Sequence, residues 1–477
     1  METRPVFDNL SALDHRYFKA NNALFELLVR YLSETASVNY CVRVETALLR
    51  AHLRRTRGDS PEALATLEKM QTAVTAEKVY AEENRTQHNI RAMVRVMKEH
   101  LSPDVASLVH LGATSVDILD TAFSLRMREC MQAVVIPLAV QLETQLVRLA
   151  REHAGTLQIG RTHGQHGVPI TFGFALSEYV SRFGNSVKLI NERSLDLRGK
   201  ISGAMGGYNS TSLITTEPEL FEQEVLGHLG LRPADHATQM VQPEFMLRLL
   251  LELNTAFGIV ANLADDLRNL QRTEINEVRE GFSGDQVGSS TMPQKRNPWN
   301  AEHVKSLWKT FAPRVMTFFH DQISEHQRDL TNSASSRFIA DYVAGFSAAL
   351  NRMLRILEGL SVNVREMSAN ASLTGDLALA EAAYTLLASS GVSDAHEVIR
   401  LATLQSEEKG VGLVEVLKND DASWSAIEQA LRNVSNVDGT EFFSDPSRYT
   451  GQSAQIAARV CDKYESEMND LMRGWES

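Results

Sequence analysis

An all-α fold is what this chain predicts, with three helical domains around a long central helix bundle, and three observations carry that expectation. Helix-forming Leu, Ala, Glu, Arg and Met dominate, alternating β-branched runs are scarce, and only 12 prolines occur in 477 residues. Between Pro243 and Val278 there is no further proline, and Met246, Leu249, Leu250, Leu253, Phe257, Val260, Leu263, Leu267 and Leu270 recur at three- and four-residue steps. That is the apolar stripe of an amphipathic helix, and at about 1.5 Å per residue the segment makes a rod of roughly 50 Å. Two further long helices are expected. One runs from Thr171 to about Arg198, entered through Pro169 with Thr171 as its cap, and the other runs from Pro298 to about His320, where Pro313 imposes a kink. Stripes this wide exceed what one short partner helix covers, so helices of several subunits are expected to pack together; an elongated monomeric bundle is the alternative.

The breaks order these helices into domains. Residues 1–106 form an N-terminal helical domain ending near Leu101-Ser102-Pro103, residues 107–362 carry the long rods, and residues 363–477 form a smaller helical domain. Within the last, Asn419-Asp420-Asp421 and Val437-Asp438-Gly439 read as loops, and Asp445-Pro446 as a turn before the final helix. A formal net charge of −12 disfavours nucleic acid or an anionic membrane as a general partner, because either needs a basic face. Cys41, Cys130 and Cys461 lie far apart, without metal-type spacing, and argue against a disulfide framework. The opening METRPVFDNL lacks a signal pattern, and charges interrupt the apolar stretches before about 18 residues. A cytoplasmic protein that does not span a membrane is expected.

Candidate chemistry gathers in four places. The run from Gly288 to Pro298 holds Ser289, Ser290, Lys295 and Asn297. Gly281, Gly284 and Gly288 would let the backbone there take φ values closed to other residues, as a loop moving over a substrate needs. Asn297 before Pro298 reads as a helix N-cap, which would set amide donors and Lys295 near the serine pair and make a site for an anion. A solvated loop is the plainer alternative for Ser-Ser-Thr. The stretch His110 to Asp117 opens another helix, capped by a Ser or Thr, with Asp117 and Asp120 in its first turn. From Gly160 to Pro169, His163 and His166 sit among glycines, a composition suited to proton transfer close to a substrate. Arg328, Ser333 and Arg337 group two guanidinium forks with a hydroxyl, a donor set suited to phosphate.

These stretches together resemble the fumarase/aspartase superfamily, and Gly160-Arg161-Thr162-His163-Gly164-Gln165-His166 is similar to its adenylosuccinate lyase branch. The resemblance implies β-elimination of fumarate from a succinyl-nucleotide in purine biosynthesis, from adenylosuccinate and the succinylaminoimidazole carboxamide ribonucleotide. It implies Ser289 as the base and His163 as the general acid, with Lys295, Asn297 and loop amides stabilising the charge that develops. His88 matches a second histidine of the branch, with a buried core position as its alternative. Thr114, Ser115 and Asp117 would take a succinyl carboxylate and Gln239 the succinyl part. Arg16, Tyr17 and Arg328 would face the nucleotide, and Ser333 and Arg337 its phosphate. Thr162, Ser290, Met292 and Asn297 complete the implied substrate contacts, and Glu274 is expected as a structural charge on the long helix. Neither metal nor organic cofactor is implied, and the partner is a further copy of the chain in a homotetramer whose subunits share each site. Three departures stand out: Gln294 replaces a histidine, Gly167-Val168 replaces Ala-Glu, and Asn89 replaces an aspartate, whose negative charge an amide cannot hold. The alternatives are a related C–N lyase acting on another N-substituted aspartate, such as argininosuccinate or an aminocarboxylate, and a catalytically silent relative.

Overall fold

The computed structural model describes residues 5–58, 60–282 and 288–474. Helices dominate it, and among the described residues the strands form three two-stranded ladders. Helix α1 is Glu34–Arg57, opened by Ser33, whose hydroxyl accepts from the Ala36 amide at 3.1 Å, and closed at Gly58 with φ +76°. Helix α2 is Asn89–Lys98. Helix α3, Ser115–Cys130, passes through a π turn at Met131–Val135 into α4, Ile136–Glu152. These 38 residues make a continuous rod of about 57 Å, longer than any helix the sequence pattern picks out.

Strands β1 (Leu157–Thr162) and β2 (Gln165–Thr171) follow as an antiparallel hairpin. Sequence reasoning expects a glycine-rich loop here. Instead His163 and Gly164 take φ +55° and +75°, the paired left-handed conformation of a two-residue hairpin turn that matches strand twist. Helix α5 is Phe172–Leu195 and α6 is Glu244–Leu270. With 27 residues, α6 is nearer 40 Å than the expected 50 Å. It stops because the Glu277 amide turns back to the Leu270 carbonyl at 2.9 Å, which leaves Glu274 exposed in a turn rather than on the helix. Strand β3 (Val278–Arg279) pairs with β4 (Ser361–Val362) across the helices α7 (Trp299–Phe311) and α8 (Ile339–Glu358). Pro313 breaks its helix as expected: a 3-10 turn at Ala312–Arg314 separates α7 from Val315–His320. Helix α9 is Val364–Ala371 and α10 is Ser453–Arg473.

The chain forms two compact units built from non-consecutive stretches. The first comprises Met1–Val140, Asn185–Gly258 and Ser306–Asn351; the second comprises Gln141–Gly184, Ile259–Lys305 and Arg352–Ser477. In the first, α1 and α3 interlock through Val44, Leu48, Leu49, Ala51, Ile118, Ala122 and Leu125, all buried. Each leucine so enclosed contributes on the order of 2 kcal/mol relative to exposure, before the entropy of ordering it. In the second, Leu379, Ala383, Leu387, Ile399, Leu413, Ile427 and Phe443 make a separate core, and Ile159 of β1 packs on Ala371 and Ala378. Ser115–Glu152 and α6 are long and apolar enough to cross a membrane by length and composition, although charges such as Glu143 and Glu252 interrupt them; 67% and 56% of their apolar windows are buried in the protein, as for core helices.

Candidate active site

The first unit presents one cluster. The Thr114 amide donates to the Asp117 carboxylate at 2.8 Å and so starts α3 in a capping box. Asp117 is fully buried, forms an ion pair with the equally buried Lys200, and accepts from the Gly203 amide at 3.1 Å. Its carboxylate is therefore spent inside the protein. It fixes the turn that presents Thr114 and Ser115, both half-buried, rather than facing a ligand as the sequence suggested. Just before that turn, His110 holds φ +64° and its Nδ1 meets the enclosed Glu45 carboxylate. Burial draws the imidazole pKa down, but the hydrogen bond and charge of Glu45 outweigh it and leave the group above its ordinary value. Sequence reasoning singles out neither partner of that pair, which lie 65 positions apart.

Three residues beyond Asp117, Asp120 accepts the Val241 amide at 2.9 Å and lines a cavity of about 470 Å³. Burial pushes its carboxyl up to about 6, against the opposing Val241 amide and the Lys200 charge. Val241 belongs to the segment carrying Gln239, whose own amide donates to the Gln327 carbonyl at 3.2 Å. Gln239 thus lies beside the Arg328 to Arg337 stretch, from which Ser333 and Arg337 line the same cavity. Arg328 behaves differently from expectation. Held at φ +85°, it turns its guanidinium onto the Asp321 and Gln322 carbonyls at 2.9 and 3.3 Å, so the fork clamps its own loop. His88 is exposed, which overturns the buried alternative, and its Nδ1 caps α2 by accepting the Arg91 amide at 3.3 Å. Asn89, at the position of the missing aspartate, lines the cavity. Arg16 is exposed and Tyr17 half-buried in a π turn at Leu13–Tyr17, and neither is among the residues that line the cavity.

The second unit carries the hairpin and the serine loop. His163 and Thr162 are exposed at the hairpin tip. Gly160 is required at the irregularity in the ladder, because a Cβ there would lie 2.9 Å from the Val168 carbonyl oxygen. The strand is anchored through Arg161 and Gln158, both of which donate to the buried Glu277, at 2.5 and 2.8 Å. His166, cross-strand from Arg161, has its pKa lowered by burial and by that guanidinium, with Glu277 opposing.

In the serine loop, the Ser289 hydroxyl oxygen accepts the Thr291 and Met292 amides at 3.4 and 3.0 Å. Two N–H dipoles aimed at one oxygen favour its deprotonated form. The other features depart from expectation. Asn297 does not cap the helix: its side-chain amide donates to the Gly288 carbonyl at 3.2 Å, and the Glu302 amide makes the first helical bond to the Pro298 carbonyl. The free amides of α7 are taken by Glu280, which accepts from Asn300 at 3.2 Å and Ala301 at 2.7 Å. The anion at that helix start is the chain's own carboxylate. Gly281 and Gly288 do not use left-handed φ. They are needed for close approach: a Cβ at Gly281 would sit 2.9 Å from the Gly359 carbonyl oxygen, and one at Gly288 would overlap that of Lys295. Gly284 lies outside the described residues. Ser290, Met292 and Lys295 are exposed on the same loop. Among the described residues no group of three or more His, Cys, Asp or Glu side chains is gathered to hold a metal ion.

Comparison with known proteins spans nearly the whole chain. A family model described as lyase matches residues 30–317, and a second, adenylosuccinate lyase C-terminal, matches residues 324–438. Adenylosuccinate lyase of Pyrococcus abyssi is 33% identical over 464 residues, covering 96% of this chain and 98% of the relative. That of Archaeoglobus fulgidus is 30% identical, with 90% and 94% covered. N-acetyl-S-(2-succino)cysteine lyase of Dickeya dadantii is also 30% identical, with 82% and 83% covered. Among solved structures, a fumarate lyase from Mesorhizobium sp. BNC1 shares the fold with a TM-score of 0.77 and 24% identity, covering 92% of this chain and 97% of that one. The 3-carboxy-cis,cis-muconate lactonizing enzyme from Pseudomonas putida does so with the same score and identity, covering 94% and 99%.

Proposed function

This chain belongs to the lyase family of the fumarase/aspartase superfamily, and from that premise we propose that it eliminates fumarate from adenylosuccinate, leaving AMP, and acts likewise on the succinylaminoimidazole carboxamide ribonucleotide. It is a carbon–nitrogen lyase of purine biosynthesis. Ser289, as the alkoxide, removes the Cβ proton of the succinyl group. The electron pair delocalises into the neighbouring carboxylate, the C–N bond breaks, and His163 gives its proton to the leaving nitrogen. The single observation that supports this assignment best is the pair of amides on Ser289 Oγ, which holds the oxygen as an oxyanion hole would. One such donor is worth roughly 3 kcal/mol of barrier. Lys295 adds positive charge to the loop. Thr114 and Ser115 receive a succinyl carboxylate, while Ser333 and Arg337 receive the phosphate from the cavity wall. Asp117 and Arg328 keep positioning parts, the first through the α3 turn and the second through its loop.

The working form in this proposal is a cytoplasmic homotetramer in which segments 1–106, 107–362 and 363–477 serve as three helical domains and each site draws on several subunits. Turnover of adenylosuccinate to fumarate and AMP by the purified protein, lost in Ser289→Ala and Arg337→Ala, is the expected result. No turnover by the unaltered protein removes the nucleotide assignment.

A second reading is favoured by Asn89, an amide on the cavity where the branch has a carboxylate, together with the likeness to the Dickeya enzyme. It assigns the same elimination to another succinyl adduct, an N-substituted aspartate or a thioether such as N-acetyl-S-(2-succino)cysteine. Fumarate release from such a compound that persists in Arg337→Ala would favour it.

A further inference from the structure

Glu277 is 0% exposed, and three donors from distant parts of the sequence share its carboxylate. The Arg161 guanidinium lies at 2.5 Å, the Gln158 amide at 2.8 Å and the Asn370 amide at 2.9 Å. The backbone of Glu277 is equally held, donating to the Leu270 carbonyl at 2.9 Å and accepting from the Asn363 amide at 2.8 Å. Only Val278–Arg279, paired with Ser361–Val362, separates it from Glu280, which closes the start of α7. Gln271 completes the connection, accepting the Glu280 amide at 2.9 Å and donating to the Arg296 carbonyl at 3.2 Å. A path of hydrogen bonds, joined by the backbone step from Glu277 to Glu280, therefore runs from the hairpin to the serine loop, all within one compact unit.

We propose that Glu277 is a positioning residue that couples the His163 hairpin to the Ser289 loop, so that the acid arm and the base arm of each polypeptide are held as one body. The proposal rests on the roles assigned to His163 and Ser289 above. The warrant is energetic as well as geometric. A carboxylate enclosed with one cation and two amides loses a charge-assisted bond in a low-dielectric setting if the hairpin shifts, and the serine loop is tied to the same anchor through the backbone to Glu280 and the Gln271 side chain. Proton transfer at both arms demands placement to within about half an ångström, which neither an exposed two-residue turn nor an exposed loop secures alone.

The test is peptide-level hydrogen exchange on the substrate-free protein, with turnover measured in parallel, for Glu277→Gln, Arg161→Gln and the double variant. Glu277→Gln is expected to speed exchange both in residues 157–171 and in residues 288–297. It should lower kcat about 10- to 100-fold with KM within about threefold. The double variant should recover part of the loss of Arg161→Gln, because it leaves no unpaired buried charge. Faster exchange confined to the hairpin, or a rise in KM with kcat intact, would overturn the coupling. If Glu277→Gln does not fold, Asn370→Ala removes one donor and keeps the ion pair, and the same exchange pattern decides. The exchange result does not depend on the substrate. Absence of turnover by the unaltered protein counts against the functional reading alone.

Discussion

Replacing Lys200 by methionine is the sharpest probe of how the α3 turn is held. Lys200 and Asp117 are both 0% exposed, and the ammonium also donates to the Gly203 carbonyl at 2.9 Å. Removing the cation leaves a buried carboxylate whose remaining donors are the Thr114 and Gly203 amides. Breaking a buried pair in this way costs about 3–5 kcal/mol, and the surviving amides place the expectation near the lower end. At about 2–4 °C per kcal/mol for a unit of this size, the midpoint of thermal unfolding should fall by roughly 6–12 °C. The double variant Lys200→Met with Asp117→Asn should recover part of that, since the neutral amide oxygen still accepts the Thr114 and Gly203 amides and no unpaired buried charge is left. Circular dichroism melts and urea titrations at neutral pH measure both. A single variant within about 1 kcal/mol of the parent, or a double variant no better than the single, would refute the claim that Asp117 is spent on the fold.

Two further outcomes follow from local geometry. Glu143 is fully enclosed, neither carboxylate oxygen has a hydrogen-bond partner among the described residues, and burial raises its pKa well above the ordinary value of 4.5. Because the folded value is raised, the group's contribution is fully present below about pH 4.5 and is lost as pH climbs toward the folded pKa. Glu143→Gln should therefore be increasingly more stable than the parent between pH 5 and 8 in urea titrations, and parallel stability curves would count against this. Gly288→Ala places a methyl group on the Lys295 carbonyl oxygen and must move the serine loop. Fumarate release should drop about 10- to 100-fold with the melting temperature changed by less than about 2 °C, and unchanged turnover would show that the loop tolerates the shift.

Much of the fold was legible because helix signals are local. The stripe along Glu244–Leu270, the Pro313 break and the Thr114 start of α3 all rest on interactions within about four residues. The hairpin was missed because a His-Gly turn gives a weaker cue than Asn-Gly and the surrounding glycines dilute strand alternation. The extent of the Ser115–Glu152 rod was missed because its π turn slips the helical register.

The motif run from Ser289 to Asn297, the His163 stretch and the spacing of Arg328, Ser333 and Arg337 pointed to the proposed chemistry, since residue type and order alone offer a base, an acid and anion donors. The tertiary structure decided how each group is used. Asp117 meets Lys200 across 83 positions, Arg161 meets Glu277 across 116, and Glu280 takes the helix amides that Asn297 was expected to cap. A carboxylate or guanidinium becomes a ligand contact or an internal brace according to which partner the folded chain brings within hydrogen-bonding reach, and separations of that length leave no periodic trace in the sequence.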